Sequence, residues 1–374
     1  MNVNWRRAVY VIAVIGLLAA LVAPLSSQPT AALSARPTLL AATLLTGVFY
    51  VGAAFTTGWW SIALTFIGVV RGCWITFVLL RDPAIAGFAA LGFWLVVLSN
   101  WIAAWCGVAG LAGVRPHNKT LSRAVALAIP LSFGAFLFYL WEVTVRGFGV
   151  PTVLFPPPSM IAVRFFGSLW TLWQDFFQTF ILGVLTGYVI GCGTGFLVAI
   201  VAHRYTFLGR GLLPLGNFVS ALPIVGVAPI MVMWFGFDWP SKAAVVVVIT
   251  FFPMLVNTLA GLDAAGHIER DLMRSYGAGQ GQTLQKLYLP AAMPFIFNAL
   301  KINSTLAFIG AIVAEFFGTP TQGIGFRISI EAGRMALDMV WAEIALAALA
   351  GMAFYGIVAL AERATTFWHP SYRT

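Results

Sequence analysis

Charged residues are scarce in this chain. Aspartate, glutamate, lysine and arginine make up 9% of its 374 residues, whereas a soluble globular domain has roughly 25%. Hydrophobic residues, in contrast, reach 60%. A water-soluble fold could not hide that much apolar surface in one core, so the composition excludes an ordinary soluble protein and indicates a bilayer protein. The 14 tryptophans and 31 phenylalanines suit interfacial belts and lipid-facing helix surfaces.

Clusters of basic residues and metal-binding patterns are also missing. The net charge is +9, but lysines and arginines are scattered between apolar runs, which argues against nucleic-acid binding. The cysteines, Cys73, Cys106 and Cys192, lie in apolar stretches at spacings that fit no zinc or redox motif. The four histidines are far apart, each beside a predicted membrane boundary. We therefore expect no metal site.

The sequence carries no nucleotide-binding or catalytic motif. No G-x-x-x-x-G-K-[ST] loop occurs, so ATP cannot be bound in the usual P-loop way. The small-residue run 191–195 lies inside an apolar segment without a following lysine, and it favours close helix packing instead. We expect a chain that is not itself an enzyme, with no catalytic residues and no bound cofactor.

Ten apolar segments have about the length of 20 residues that a helix needs to cross a bilayer. This predicts an all-α, polytopic protein of about ten spans. The first segment, with its charged start, also resembles a signal peptide, but we favour an uncleaved helix because further apolar segments follow at once. The segments are 8–25, 38–55, 59–80, 84–111, 124–145, 176–202, 212–235, 243–262, 291–317 and 340–361.

The distribution of basic residues orients these spans. With a cytoplasmic N-terminus, most lysines and arginines fall on the cytoplasmic side, in agreement with the positive-inside rule. Two basic residues lie within spans. We expect Lys301 to snorkel toward the cytoplasmic face and Arg71, which lies mid-span, to pair across helices. Residues 160–173 have apolar positions at mixed helical spacing, which predicts an amphipathic helix on the outer membrane surface.

The longest polar stretch on the predicted cytoplasmic side is 263–290. Its glycines, Gly277, Gly279 and Gly281, permit the positive φ angles of a tight turn. Pro290 then suits the start of the next span, where its missing N–H is tolerated. On either side of the glycines, apolar residues recur at helical spacing, which predicts two short amphipathic helices. These residues are Leu272, Met273, Tyr276, Leu284, Leu287 and Tyr288.

This loop resembles the cytoplasmic EAA loop of binding-protein-dependent ABC permeases. The family pattern is EAA, three residues, G, nine residues, I, one residue and LP. Here Gly277 takes the glycine position, Leu287 the aliphatic one, and Leu289-Pro290 the closing pair. The opening triplet, residues 271–273, departs from the pattern and keeps only the acid, Asp271.

Further stretches extend the resemblance over about 150–374, closest to the nitrate, sulfonate and taurine type of permease subunit. They are 155–159 (FPPPS), 221–223 (ALP), 228–229 (AP), 234–236 (WFG), 251–258 (FFPMLVNT), 314–318 (AEFFG) and 323–325 (GIG). The resemblance implies a six-span permease core at 116–374, preceded by an extension at 1–115 with about four spans.

The resemblance also implies a function. The chain would be the membrane subunit of an ABC importer in the bacterial inner membrane. Its partners would be an ABC ATP-binding subunit, which hydrolyses ATP, a second permease of the same or a related chain, an extracytoplasmic substrate-binding protein and membrane lipid. The substrate would be a small polar or anionic nutrient, either like a sulfonate, nitrate or taurine, or a pyrimidine- or flavin-type vitamin precursor.

Two groups of candidate site residues follow. A coupling helix around 274–285 would dock in the ATP-binding subunit. The coupling-loop candidates are Asp271, Arg274, Tyr276, Gly277, Leu287, Leu289 and Pro290. Polar residues inside spans are costly and often functional, although hydrogen bonding between helices is the alternative explanation. These translocation-path candidates are Ser220, Asn257, Asn298, Asn303, Ser304 and Glu315. Glu315 would cap the turn at 318–325 or contact the binding protein.

Two other functions explain less of the sequence. An ion-coupled secondary transporter would need repeated halves, broken helices and acidic mid-span residues, and acids other than Glu315 are nearly absent from the predicted spans. A membrane scaffold without transport activity would leave the spacing of the loop at 263–290 unexplained.

Overall fold

The computed structural model describes residues 3–30, 32–220, 222–318 and 321–367, and within these ranges it describes only the backbone of Val3, Asn4, Thr206, Asn217 and Ser220. Within these residues the structure is helical apart from turns and one isolated β-bridge, Ser26 with Ala89. The chain forms two compact units, Met1–Ile161 and Ala162–Thr374. The boundary at 115/116 follows from family resemblance, which is a different criterion from compactness, and it stays a prediction.

The first unit contains five long helices. They are α1 (Val3–Ala20), α2 (Pro37–Phe55), α3 (Gly58–Leu79), α4 (Leu91–Gly113) and α5 (Lys119–Phe148), with a short 3₁₀ turn at Leu33–Ala35 before α2. Polar groups inside the unit pair with each other: Tyr50 donates to Asn100 Oδ1 at 2.7 Å. Arg71, predicted to pair across helices, makes no hydrogen bond or ion pair with any described residue, and its Nε is buried.

The helix α6 (Pro158–Gly167) contains the division between the units. The second unit continues with α7 (Leu169–Phe176), a π-helix at Phe177–Leu185, α8 (Thr186–Arg204), α9 (Thr206–Ser220), α10 (Ile224–Phe235), α11 (Trp239–Asp263), α12 (His267–Ser275), α13 (Gln280–Thr283), a π-helix at Leu284–Tyr288, α14 (Leu289–Glu315), α15 (Ile324–Gly333) and α16 (Leu337–Thr365).

Among the described residues, eight helices are long and apolar enough to cross a membrane, and each overlaps one of the predicted segments, although the helix that matches 84–111 begins only at Leu91. They are Pro37–Phe55, Gly58–Leu79, Leu91–Gly113, Lys119–Phe148, Leu169–Arg204, Trp239–Asp263, Gln280–Glu315 and Leu337–Thr365. The all-α, polytopic architecture is therefore confirmed. The remaining two predicted segments, 8–25 and 212–235, differ from the structure.

The first segment is shifted and the second is broken. Helix α1 ends at Ala20, before the turn that leads to Pro24, rather than at residue 25. The apolar run 212–235 is two helices, α9 and α10, instead of one span. Pro223 lies at the N-cap of α10 with extended ψ of 121°, and a proline disfavours the helical conformation of the residue before it. The apolar run continues through the break although the helix does not.

The predicted amphipathic helix at 160–173 is also divided. Helix α6 ends at Gly167, Ser168 is the non-helical N-cap of α7, and α7 continues through the first π-helix into α8. The span therefore begins at Leu169 instead of residue 176. A helix lying along the outer surface can comprise only the α6 part.

Small residues bring α8 and α11 into close contact. Gly187, Gly191 and Gly195 recur every four residues on α8, and a Cβ at Gly187 would lie 2.6 Å from the carbonyl oxygen of Ala243 in α11. Glycine at this spacing lets two helix backbones approach closely within a membrane. The sequence-based interpretation of 191–195 as a packing motif is confirmed for Gly191 and Gly195, whereas Gly193 faces open space.

Candidate coupling loop and translocation path

The helix α12 stands out from the spans because it buries none of its residues. Three apolar side chains follow one another a turn apart: Ile268, Leu272 and Tyr276 are 70%, 54% and 81% exposed. We call these three residues the α12 stripe. An amphipathic helix normally turns its apolar face toward a core, and no described part of this chain covers this one.

A left-handed glycine ends α12. Gly277 has φ +64°. Its N–H donates to the carbonyl of Arg274 at 2.9 Å, and the N–H of Ala278 donates to the carbonyl of Met273 at 3.0 Å. These two bonds form a Schellman motif, in which a residue without Cβ at the left-handed position satisfies the last carbonyls of a helix. The predicted turn is therefore present, and its geometry explains why glycine occupies position 277.

The predicted coupling helix at 274–285 is not a helix, since this range contains the turn. Helix α12 ends at Ser275, and the next helix begins at Gln280 and runs without interruption to Glu315. The second short helix predicted in the loop is thus the first part of a span. The five-residue π-helix at Leu284–Tyr288 directly precedes Leu289-Pro290. Its i→i+5 pattern shifts the hydrogen-bond partners where Pro290 lacks an N–H, so the proline is accommodated inside the long helix.

The coupling-loop candidates consequently fall into two groups. The exposed group, on and after α12, is Asp271, Arg274, Tyr276 and Gly277. The half-buried group, at the base of the long helix, is Leu287, Leu289 and Pro290. Leu289 packs against the main apolar core of the second unit. The first group is accessible to a partner, and the second anchors the loop to the spans.

Two contacts near this loop connect the end of α8 with the end of α11 and with the start of the long helix Gln280–Glu315. His203 Nδ1 lies 3.2 Å from Asp263 Oδ1, and Arg204 donates to the side-chain oxygen of Gln280. These residues lie at the predicted cytoplasmic ends of their helices.

The translocation-path candidates do not form one cluster. Asn303 is fully buried, where its Nδ2 donates to the carbonyl of Thr250 at 2.8 Å and lies 3.2 Å from Cys192 Sγ. Asn257 and Ser304 bond within their own helices. Asn298 is exposed on α14. The side chain of Ser220, at the end of α9, lies outside the described residues.

Glu315 caps a turn at the predicted outer end of α14. Its Oε2 accepts from the N–H of Gly325 at 2.7 Å, and its Oε1 accepts from Thr179 Oγ1 at 2.8 Å. Of the two roles predicted for Glu315, the capping role is confirmed. Asp175 completes the site: it accepts from the N–H of Gly323 at 2.7 Å and from Arg327 Nε at 2.8 Å.

Lys242 links two chain segments at the same predicted outer end. Its Nζ donates to the carbonyls of Phe237 and Gly318, and to that of Asp238 at 3.2 Å. It therefore ties the chain before α11 to the end of α14. Lys301, predicted to snorkel, reaches Glu362 of α16 with an Nζ–Oε2 distance of 2.7 Å, so its charge is paired.

Comparison with known proteins identifies the family. The sequence profile described as "Binding-protein-dependent transport system inner membrane component" matches residues 187–367. The formylaminopyrimidine transport permease protein of Halalkalibacterium halodurans is 30% identical over 206 residues, which cover 55% of this chain and 82% of that protein. The chain belongs to the binding-protein-dependent transport permeases. It is thus a permease subunit of an ABC importer and a multi-pass protein of the bacterial inner membrane.

Two other relatives show how widely the similarity extends. The riboflavin transport system permease protein of Chloroflexus aurantiacus is 29% identical over 262 residues, 69% of this permease and 97% of the relative. The taurine transport system permease protein of Escherichia coli is 28% identical over 261 residues, 67% of this permease and 92% of the relative. The predicted importer function is confirmed, and the family relationship favours it over an ion-coupled secondary transporter. Permeases of this family work with an ATP-binding subunit and a substrate-binding protein.

Proposed function

We propose that a separate ATP-binding subunit docks on the α12 stripe and that this contact couples ATP hydrolysis to the movement of the spans. The observation that carries the proposal is an apolar stripe exposed on an otherwise polar helix. Burying an aliphatic or aromatic side chain contributes roughly 1.5–3 kcal/mol, so Ile268, Leu272 and Tyr276 together suit a groove in a partner. This permease would bind no cofactor and hydrolyse no ATP itself, in line with its lack of a P-loop.

The connections of α12 suit the transmission of movement. At its start, Gly266 follows shortly after α11, and at its end the Gly277 turn leads into the 36-residue helix Gln280–Glu315. A helix of that length spans roughly 50 Å. Its far end carries Glu315, which caps α15. Displacement of α12 would therefore act on the outer turn through one continuous helix.

The break between α9 and α10 supports a translocation path at the membrane depth where the break lies. Helix α8 ends on the predicted cytoplasmic side and α11 begins on the outer side, so α9 and α10 must cross between them. Non-helical backbone at membrane depth is tolerated only where protein or a water-filled cavity surrounds it. We infer that the break at Leu222-Pro223 lines the path, which would lie between this permease and a second one of the same or a related chain. Exposed Asn298 and buried Asn303 stay candidates for it.

The substrate would be a small polar or anionic nutrient delivered by an extracytoplasmic binding protein. The relatives' names include a taurine transporter and transporters for riboflavin and formylaminopyrimidine. These similarities support two classes: a sulfonate, nitrate or taurine-like anion, and a pyrimidine- or flavin-type vitamin precursor. A screen of the binding protein that copurifies with this permease would separate the two classes.

Copurification tests the docking proposal. The tagged permease is extracted from its native membrane in mild detergent, and retained proteins are identified by mass spectrometry. We expect an ATP-binding subunit with the wild type, and a loss with the double variant Ile268→Ser and Leu272→Ser. The control is Val153→Ser, because Val153 is comparably exposed, at 49% against 54% for Leu272, but lies in a loop on the predicted outer side.

Two results would count against the proposal. Equal retention of the ATP-binding subunit by the double variant and the control would show that α12 is not the docking element. Absence of any ATP-binding subunit in several detergents, together with uptake that persists in ATP-depleted cells, would instead favour an ion-coupled secondary transporter.

A further inference from the structure

A basic pocket lies beside the coupling loop, between the end of α8, helix α12 and the start of the long helix Gln280–Glu315. Three arginines are among its lining residues: Arg204, Arg270 and Arg274. No carboxylate is among the described residues that line it. Most other buried or half-buried cations of the second unit are paired with an acid, as Lys301 is with Glu362. Two acids lie next to lining residues: Asp271 Oδ1 is 3.5 Å from Arg274 Nη1, and Asp263 Oδ1 is 3.2 Å from His203 Nδ1. Arg204 and Arg270 have no ion pair with a described acid, so the pocket keeps an excess of positive charge.

One of the lining arginines, Arg270, is held in place by two contacts and still has a donor without a described partner. Arg270 Nη2 donates to the carbonyl of Asp263 at 2.9 Å, and its guanidinium lies 5.7 Å from the ring centroid of Tyr288. Its Nε is buried and has no partner among the described residues. A buried donor without an acceptor is unfavourable, so an acceptor that entered the pocket and bonded to it would be stabilised there.

The start of the long helix adds further donors. Gly279 is the N-cap and has no side chain with which to cap the first N–H groups of the helix that begins at Gln280. Free N–H groups and the positive end of the helix dipole favour an anion at this position. Together with the three arginines, they match the several oxygens of a phosphate.

The other wall of the pocket is apolar. Ile200, Leu284 and Tyr288 line it, and they belong to helices that continue into the membrane. A free phosphate would gain nothing from these side chains, whereas the acyl chains of a lipid would lie against them. We propose that this pocket binds the phosphate of an anionic phospholipid from the cytoplasmic leaflet.

The site is separate from the proposed docking surface. Successive residues of an α-helix are about 100° apart, which places Arg270 and Arg274 roughly opposite the α12 stripe. A lipid could therefore bind on the permease side of α12 while the ATP-binding subunit docks on the other. The lipid headgroup would then stabilise the position of α12 relative to α8 and the long helix Gln280–Glu315, and this inference does not depend on the docking proposal.

Native mass spectrometry of the full-length permease in neutral detergent tests the proposal. Phosphatidylglycerol and phosphatidylcholine are titrated separately, and retained lipid is counted. We expect preferential retention of phosphatidylglycerol. Each arginine near an anionic lipid is worth about 1 kcal/mol, so Arg270→Gln and Arg274→Gln should each weaken retention about fivefold. Arg274 is 82% exposed, so its replacement should leave the fold intact. Arg210→Gln is the control, as an exposed basic residue of α9 outside the pocket.

Further measurements distinguish a lipid headgroup from inorganic phosphate as the ligand. Inorganic phosphate at millimolar concentration should compete only weakly with the lipid, and Arg270→Lys should restore part of the retention because it keeps the charge. Equal binding of both lipids, or equal retention by the Gln variants and the Arg210→Gln control, would overturn the proposal. A thermal stabilisation by inorganic phosphate without selective lipid retention would show that free phosphate, rather than a lipid, is the ligand.

Discussion

Replacement of Gly277 tests whether the coupling loop must keep its left-handed turn. Gly277 has φ +64°, and no heavy atom lies within 4 Å of the position that a Cβ would occupy, so a new side chain would meet no obstacle within the permease. Any effect must then come from backbone conformation or from a partner. The left-handed conformation costs a residue with a Cβ about 1–2 kcal/mol, less for asparagine and more for a β-branched residue.

The expected effect on partner binding follows from this cost. If only the left-handed turn presents α12 correctly, the apparent affinity for the ATP-binding subunit falls with the fraction of loops in that conformation. Gly277→Ala should weaken binding about 5- to 30-fold, Gly277→Asn less and Gly277→Val more. Gly277→Asp should bind more weakly than Gly277→Asn, because it adds a negative charge at the C-terminal end of α12, where the helix dipole is already negative.

Binding is measured by titrating the purified ATP-binding subunit onto the permease in nanodiscs. The matched control is Gly279→Ala: this glycine also has open space around it, but its φ is −67°, which any residue adopts. Alanine is a poorer N-cap than glycine, so the control carries a small cost of its own, but it adds a methyl group without left-handed strain and should bind more tightly than Gly277→Val. If Gly277→Val binds as tightly as Gly279→Ala, the turn is not required and the reasoning is refuted.

Three further predictions concern stability. Thr179→Val should lower stability by about 1–3 kcal/mol, because the hydroxyl that donates to Glu315 is lost, whereas Thr179→Ser keeps it; thermal unfolding in detergent distinguishes them. Gly187→Ala should destabilise by about 1–3 kcal/mol, since its Cβ would lie 2.6 Å from a carbonyl oxygen of α11; an unchanged unfolding midpoint would contradict the close packing of α8 and α11. The ion pair with Arg36 holds the pKa of Asp82 below its usual 3.8, so its stabilisation is present above that pH and is lost as the pH falls through the lower folded-state pKa. Asp82→Asn should remove this part of the acid sensitivity when the unfolding midpoint is followed against pH.

Hydrophobicity alone predicted most of the spans because length and apolar content decide which helices can cross a bilayer. It missed the break in 212–235 because an apolar run does not show whether the backbone stays helical. The local signal was Pro223, which disfavours a helical residue before it. Pro290 shows the opposite: it lies inside a continuous helix, where a π-helix at Leu284–Tyr288 accommodates it. A proline therefore indicates a local change whose outcome the surroundings decide.

The candidate sites were predictable to different degrees. The turn at Gly277 was predictable because a left-handed backbone conformation favours glycine, and this preference is visible at a single position of the sequence. Asp175 and Thr179 cap α15 together with Glu315. They were missed because their hydrogen-bond partners, Gly323 and Ile324, lie 148 and 145 positions later in the sequence. Their spacing of four residues in an apolar stretch was the one available signal. The basic pocket was also missed, since Arg204 comes from a helix far from Arg270 in sequence.

The most direct test of the central claim, that this permease is driven by an ATP-binding subunit through α12, is site-directed photo-cross-linking in native membranes. A cysteine introduced as Leu272→Cys carries a maleimide-coupled photoreactive probe, and adducts are identified by mass spectrometry. The exposed position Arg334→Cys, on the predicted outer side, is the comparison. We predict that the adduct from Leu272→Cys, and not that from Arg334→Cys, contains a protein with a G-x-x-x-x-G-K-[ST] loop. An adduct pattern without such a protein at Leu272→Cys would contradict the account.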